Sequence, residues 1–268
     1  MNQTIQQWPL LIDSVREVAL DIFQNTKTGQ QQVARKPDGS LLTATDILLQ
    51  KNISQVLLSY FPDIPILGEE MTEIEQVGIL ASGNCWLLDP LDGTSNFSHG
   101  IPVYSVSLAL VQKGEVVAGL VYDPNRDEVF QAQKGLGAHM NQQVLNRRND
   151  QPTRLNHAMA IIDTKRLPSD LAAAIATENP YHSQRSFGSV ALDWCWLAAG
   201  RVQTYLHGKQ KLWDYAAGAL IAQEAGCLTV TMENGHILGS PLTLKGRSAV
   251  GACPSLAISW PEWISKRS

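Results

Sequence analysis

The chain is poor in cysteine and charge, and it has no long apolar run. Its four cysteines, Cys85, Cys195, Cys227 and Cys253, are widely spaced. They form no C-x-x-C pair and no zinc-ligand pattern, so neither a redox motif nor a structural zinc site can be written from them. Two disulfides are arithmetically open, but four buried thiols in a reducing compartment suit the spacing better. Charged residues make up 17% of the chain and the net charge is −4. That leaves no general basic field for nucleic acid or an anionic membrane surface. No stretch approaches 18 apolar residues, and no charged leader precedes an apolar run, so a cytoplasmic protein is expected. Gly135-x-Gly137 falls in a turn with no following helix and is no dinucleotide fingerprint. Repeats are absent, and Gln30-Gln31-Gln32 is too short to count as low complexity.

What remains is a globular chain of 268 residues, 44% hydrophobic, long enough for one large or two ordinary domains. Its focal stretch is Trp86-Leu87-Leu88-Asp89-Pro90-Leu91-Asp92-Gly93-Thr94-Ser95-Asn96-Phe97. The apolar run reads as a buried strand. Pro90 lacks an N–H and should stop the ladder. Gly93 allows a positive φ or a close backbone approach, and Thr94 or Ser95 can cap a following helix. Asp89 and Asp92 therefore stand at a strand end, beside a helix N-terminus. Carboxylates at this density suit a hard cation such as Mg²⁺, and a helix N-terminus suits an anion. Together they form the layout of metal-assisted phosphoryl transfer. Taken alone, the stretch also reads as a solvated acidic turn, because Asp-Pro and Asp-Gly are common turn dipeptides.

Helical spacing runs from Trp8 to Phe23 and again from Ile47 to Tyr60, where Thr45 or Asp46 supplies a cap. Lys36-Pro37-Asp38-Gly39-Ser40 between extended flanks signals a hairpin. Ile64 to Leu67 reads as a strand ending in Gly68-Glu69-Glu70. Glu70, Glu73 and Glu75 look like an exposed acidic run, whereas Glu69 directly follows the strand's glycine. Val103–Val111, Val116–Tyr122 and Val129–Ala132 read as an antiparallel meander. A polar stretch from Asn146 to Asn156 marks a boundary, giving residues 1–148 and 149–268 as two domains. Beyond it strands and helices alternate: Met159–Ile162, Ser169–Glu178, Ser189–Ala199, Gln203–Leu206, Trp213–Ala225, Cys227–Thr231 and Ser248–Ala252. Asp214 opens a helix rich in small residues, Trp213-Asp214-Tyr215-Ala216-Ala217-Gly218. Standing alone, it is a first-turn aspartate favoured by the helix dipole. Trp194 and Trp196 read as a packed helix face.

In this order the pieces resemble the inositol monophosphatase family of magnesium-dependent, lithium-sensitive phosphatases. Four blocks carry the likeness: Thr43-Ala44-Thr45-Asp46, Gly68-Glu69-Glu70, Asp89 to Phe97, and Trp213 to Gly218. Lys134-Gly135-Leu136-Gly137-Ala138 is a weaker fifth. The resemblance spans about residues 10 to 250. It implies an α+β, five-layer α-β-α-β-α fold, with an antiparallel sheet in the N-terminal half and an α/β layer in the C-terminal half. It also implies two to three Mg²⁺ ions. Glu69, Asp89 and the Leu91 carbonyl would hold the first, and Asp89, Asp92 and Asp214 the second. A weaker third would sit near Glu69, which is thereby catalytic as well. Gly93 and Thr94 would offer N–H groups to the phosphate, while Gly188, Ser189 and Val190 line the alcohol side. Thr94, oriented by Asp46, would take a proton from the attacking water.

The activity so implied is hydrolysis of inositol monophosphate or a related small polyol or sugar phosphate by metal-activated water. Nucleoside bisphosphates, fructose bisphosphate and histidinol phosphate are alternative substrates, and a catalytically silent phosphate-binding regulator is the alternative outside enzymology. The expected partner is a small phosphate ester, with no nucleic acid and no membrane; a homodimer is left open. One position departs from the inositol-specific pattern. Seven residues before Asp214, where animal members carry a glutamate, stands His207. With Lys209 or Lys211 nearby, it leaves room for a second anionic group on the substrate and implies a broad or shifted range that still includes inositol phosphate.

Overall fold

The computed structural model describes residues 3–26, 33–35, 41–69, 71–151, 153–232, 238 and 241–267. In chain order the elements are α1 (Gln3–Asn25), β1 (Val33–Arg35), β2 (Leu41–Thr43), α2 (Ala44–Tyr60), β3 (Ile66–Gly68), α3 (Glu73–Ala81), β4 (Cys85–Asp92), α4 (Thr94–Ser98), β5 (Ser105–Gln112), β6 (Glu115–Asp123), β7 (Glu128–Gln133), β8 (Ala138–Met140) and β9 (Gln143–Leu145). Then follow β10 (Met159–Asp163), α5 (Ser169–Glu178), β11 (Ser183–Arg185), α6 (Val190–Ala198), β12 (Thr204–Gln210), α7 (Leu212–Glu224), β13 (Leu228–Val230), β14 (Arg247–Ala252) and α8 (Ser259–Ser265). The hairpin tip 36–40, the glutamine run 30–32 and Glu70 lie outside the described residues.

Two sheets organise the chain. β3 to β9 lie side by side in sequence order, antiparallel except for the β3–β4 pair. The second sheet has the order β11-β10-β12-β14-β13, with β11, β10 and β12 parallel. Strand alternation decides what each face meets. Trp86 and Leu88 of β4 face outward onto α1 and α2, where Trp8, Leu11, Val15, Leu49 and Ile53 are buried. Cys85 and Leu87 face inward, onto the layer made by α6 and α7. The second sheet repeats the pattern. Ile161 and Tyr205 face α6 and α7, while Ile162 and Leu206 face α5 and α8. The layers are therefore α1/α2, seven strands, α6/α7, five strands and α5/α8. That is the expected five-layer α+β fold, and double-sided burial explains the near-continuous apolar run of β4.

Several local expectations shift. α2 is capped by Thr43, not by Thr45 or Asp46, and Asp46 at its third position returns the bond, completing a capping box. The acidic run at Glu73 and Glu75 is the first turn of α3, capped in the same way by Thr72 and Glu75. Ser169 is the first helical residue of α5 and Pro168 its cap. All four cysteines are buried and free. Trp194 and Trp196 are packed in the core, as a plain helix face requires.

Helix α7 rests directly on the first sheet. A Cβ on Gly119 in β6 would meet the Ala217 backbone at 2.9 Å. Gly119→Ala should therefore push α7 off the sheet and cost about 1–3 kcal/mol, as overpacking does. Gly78 in exposed α3 has nothing within 4 Å of its would-be Cβ, so Gly78→Ala should stabilise by about 0.5–1 kcal/mol through helix propensity. Urea denaturation of the two variants checks both signs.

Candidate active site

The site is assembled by a defect in β4. Asp89 pairs with Ser107 and Asp92 with Ser105. Three steps on β4 thus match two on β5, so one extra residue is accommodated beside Pro90. Contrary to the expectation from sequence, the proline does not end the strand. It shifts the register, which a bulge permits and a regular ladder does not. In a regular pleat Asp89 and Asp92, three apart, would face opposite ways. Here both line one cavity of about 360 Å³ with Glu69, Leu91 and Asp214. Glu69 follows β3, and Asp214 is in the first turn of α7. Ser107 Oγ donates to Trp213 O at 3.0 Å, which fixes that turn against β5. Gly93 caps α4 at φ +96°, and a Cβ there would stand 2.9 Å from Val103 O. No residue with a side chain fits, so Thr94, expected as a cap, becomes the first helical residue.

Thr94 Oγ1 lies 3.2 Å from Asp46 Oδ1 and 3.0 Å from Leu91 O. Asp46 Oδ2 accepts the Thr43 N–H at 2.7 Å and the Thr43 hydroxyl at 2.5 Å. One carboxylate therefore serves both readings open in the sequence. One oxygen caps α2 and the other faces the site.

Asp89, Asp92 and Asp214 each hold a backbone donor. Asp89 Oδ1 accepts Leu91 N–H at 3.0 Å, and Asp214 Oδ2 accepts Lys211 N–H at 3.0 Å. Asp92 receives Ser189 Oγ at 2.5 Å, Val190 N–H at 3.2 Å and Ala191 N–H at 2.8 Å. Among the described residues no three acids, imidazoles or thiols are already gathered into an ion-holding cluster. Burial, then Glu69, Asp92 and Asp214, pushes the Asp89 carboxyl well above its ordinary range. Burial, then Asp92, does the same to Asp214. Asp92 is also raised by burial, against the pull of its Ser189 and backbone bonds.

Gly188, Val190 and His207 line the same cavity. Ser189 is fully buried and acts on Asp92 instead. His207 is only 3% exposed, and both of its ring nitrogens are engaged. Nδ1 lies 3.1 Å from the Lys209 N–H, and Nε2 lies 3.1 Å from Asp163 Oδ2. Lys209 and Lys211 do not line the cavity. The Lys209 stem packs beside Gly246, and Lys211 Nζ lies 5.8 Å from the Trp213 ring centroid. Among the described residues, the lysine and arginine at the cavity are Lys165 and Arg166. Sequence reasoning missed these two, as well as Asp163 and Gln76. Gln76 Nε2 donates to Gly68 O at 3.0 Å, steadying the chain that carries Glu69. Only a helix assignment at 73–81 would have pointed to it.

Acids raised in the fold hold more protons than in the unfolded chain, so their ionisation lowers stability as pH rises. Asp89→Asn keeps an oxygen for Leu91 N–H and removes one mutually repelled charge. In chelator at pH 7 the variant should melt higher than wild type, and the gain should shrink toward pH 4. Differential scanning fluorimetry across that range checks it; a lower melting temperature at pH 7 contradicts it.

Comparison with known proteins bears directly on this cavity. The family model described as the inositol monophosphatase family matches residues 8–261. The Nus factor SuhB of Pasteurella multocida is 38% identical over 208 residues, covering 76% of this chain and 77% of that one. The inositol-1-monophosphatase of Rhizobium meliloti is 31% identical over 224 residues, covering 79% and 78%. The crystal structure of the extragenic suppressor protein suhB from Bartonella henselae superposes with a TM-score of 0.81 at 28% identity, covering 96% of this chain and 97% of that one. A Thermotoga maritima IMPase gives 0.81 at 25% identity, covering 97% of each. With its model matched over nearly the whole length and its acids gathered on one cavity, the chain belongs to the inositol monophosphatase family.

Proposed function

We propose that the chain is a phosphomonoesterase that uses Mg²⁺ to hydrolyse a small polyol or sugar phosphate of the inositol monophosphate class. The observation that carries this reading is the convergence of Glu69 after β3, Asp89 and Asp92 of β4, and Asp214 of α7 beside the Thr94–Asp46 pair. The donor set fits a hard divalent cation. It is all oxygen, it includes the Leu91 carbonyl, and burial followed by mutual repulsion raises Asp89 and Asp214, which a cation would offset. Glu69, Asp89 and Leu91 would hold one ion, Asp89, Asp92 and Asp214 a second, and Glu69 a weaker third. Bound there, the ions would polarise the phosphoryl oxygens and lower the proton affinity of the attacking water.

The chain's own residues supply the rest. Thr94 Oγ1 accepts a proton from water as its own passes to Asp46 Oδ1. Thr43 holds the other Asp46 oxygen, so the acceptor does not swing away. The N–H groups of Gly93 and Thr94 face the phosphate, and Gly188 and Val190 wall the alcohol. Nucleoside bisphosphates, fructose bisphosphate and histidinol phosphate are the competing ester classes.

A second reading, a regulator without turnover, is favoured by the name Nus factor that relatives at 38% and 36% identity carry. A phosphate binder has no need of the Thr94–Asp46 pair, which weighs toward catalysis. Phosphate release with Mg²⁺, abolished by excess chelator, is the outcome expected of the enzyme. No release under either condition fits the regulator.

Thr94→Ala should lower kcat by about 10²–10⁴ with little change in stability. Asp46→Asn should lower kcat similarly and also cost about 1 kcal/mol through the lost cap. Thr43→Ala should show the stability loss with a smaller effect on kcat. Steady-state kinetics and urea denaturation on the three variants separate proton transfer from capping.

A further inference from the structure

Asp163 ends β10 and stands in register with His207 on the neighbouring parallel strand β12. Alternation turns both the way of Ile161 and Tyr205, toward the α6/α7 layer. Both line the cavity that holds the four converging acids. Asp163 nevertheless differs in kind from those acids. Asp89 is raised by burial and then by Glu69, Asp92 and Asp214, and Asp163 lies outside that set.

The Asp163 carboxylate is held from two directions. Oδ1 accepts the Lys165 N–H at 2.9 Å, and Oδ2 lies 3.1 Å from His207 Nε2. His207 Nδ1 accepts the Lys209 N–H at 3.1 Å. The ring proton therefore sits on Nε2 and is donated to Asp163. The His207 bond holds the Asp163 carboxyl down at about 2, so it is an anion at neutral pH. The turn behind it is fixed as well. Leu167 N–H closes on Thr164 O at 3.2 Å. This turn lies so close on β12 that a Cβ on Gly208 would stand 2.1 Å from Arg166 O.

Two of roughly four lone-pair positions on the carboxylate are thus used, and the Asp163 side chain is 29% exposed. The remaining positions suit a donor. An amine is disfavoured, because Lys165 and Arg166 line the same cavity and like charges repel. A second phosphate would meet the carboxylate's own charge. An uncharged hydroxyl fits both constraints, and a fixed anionic acceptor bonds it more strongly than water does.

Resting on the phosphatase reading, we propose that Asp163, positioned by His207, accepts the hydroxyls of the substrate's alcohol and so selects polyol monophosphates over hydroxyl-poor ones. The test compares inositol 1-phosphate with cyclohexyl phosphate, which keeps the ring and the phosphate but has no free ring hydroxyl. Affinities are measured by calorimetry with Ca²⁺ in place of Mg²⁺, and kcat/KM with Mg²⁺. Wild type should prefer the inositol ester by about tenfold or more, and Asp163→Asn should reduce that ratio about tenfold. Asp163→Ala, read the same way, serves if the Asn variant does not fold.

For the positioning role, His207→Leu removes the ring donor and should lose the preference, while His207→Gln keeps an N–H and should recover part of it. A ratio that stays at the wild-type value in the folded Asp163 variants overturns the proposal. The phosphatase reading fails separately, by absence of phosphate release from either ester. In that case the affinity ratio still reads Asp163.

Discussion

Asp92 receives three hydrogen bonds from the start of α6, given by Ser189 Oγ and the N–H groups of Val190 and Ala191. It belongs to a strand of the seven-stranded sheet, while α6 lies in the layer between the sheets. One carboxylate thus caps a helix of the other half and contributes to the cavity. Helix N-termini leave N–H groups without intrahelical partners, and a buried acid is an apt acceptor for them. The position of α6, and with it Gly188 and Val190, is keyed to the same residue that faces Asp89. Asn96 adds a second tie across this seam, donating to Val103 O at 2.7 Å and Phe187 O at 2.6 Å.

The cost of this arrangement is electrostatic. Burial raises Asp89, Asp92 and Asp214 together, and neighbouring acids add to it at Asp89 and Asp214. A fold that gathers anions in this way is less stable for their presence unless a cation offsets them. The Thr94–Asp46 pair stands beside this strained set, and Asp46 has backbone and hydroxyl donors of its own. Proton acceptor and converging acids are therefore supported by different parts of the chain. α2 holds the first, and the β4 bulge with α7 holds the second.

The parts of the site written locally were legible. Asp89, Asp92, Gly93 and Thr94 lie within six residues, and their types announce a strand end beside a helix start. Asp46 was legible as part of the helix start, as the third residue of a box whose cap is Thr43, but its second oxygen bonds Thr94 across 48 positions, which no local pattern encodes. Asp214 read as an ordinary first-turn acid until family likeness joined it to the others. The five layers followed from that likeness, and strand alternation in β4 then explains them. α3 was hidden because Ile74 and Val77 are exposed and give no buried stripe. Gln76 was lost with it. Asp163 was invisible because its meaning depends on pairing with His207, and parallel pairing across a crossover leaves no trace in spacing.

The bulge in β4 also sets how the chain can vary over time. A strand normally tolerates substitution better than a change of length, since slipping by one residue exchanges its faces. Between Asp89 and Asp92 the requirement is sharper. The two acids share a side only because three residues span what two span on β5. Losing Pro90 or Leu91 would restore an even pleat but bring the acids to adjacent-but-one spacing without the kink that aims them. Gaining one residue would ask β5 for a partner it lacks. Length within this quartet is thus a structural requirement in its own right, independent of which apolar residue fills position 91.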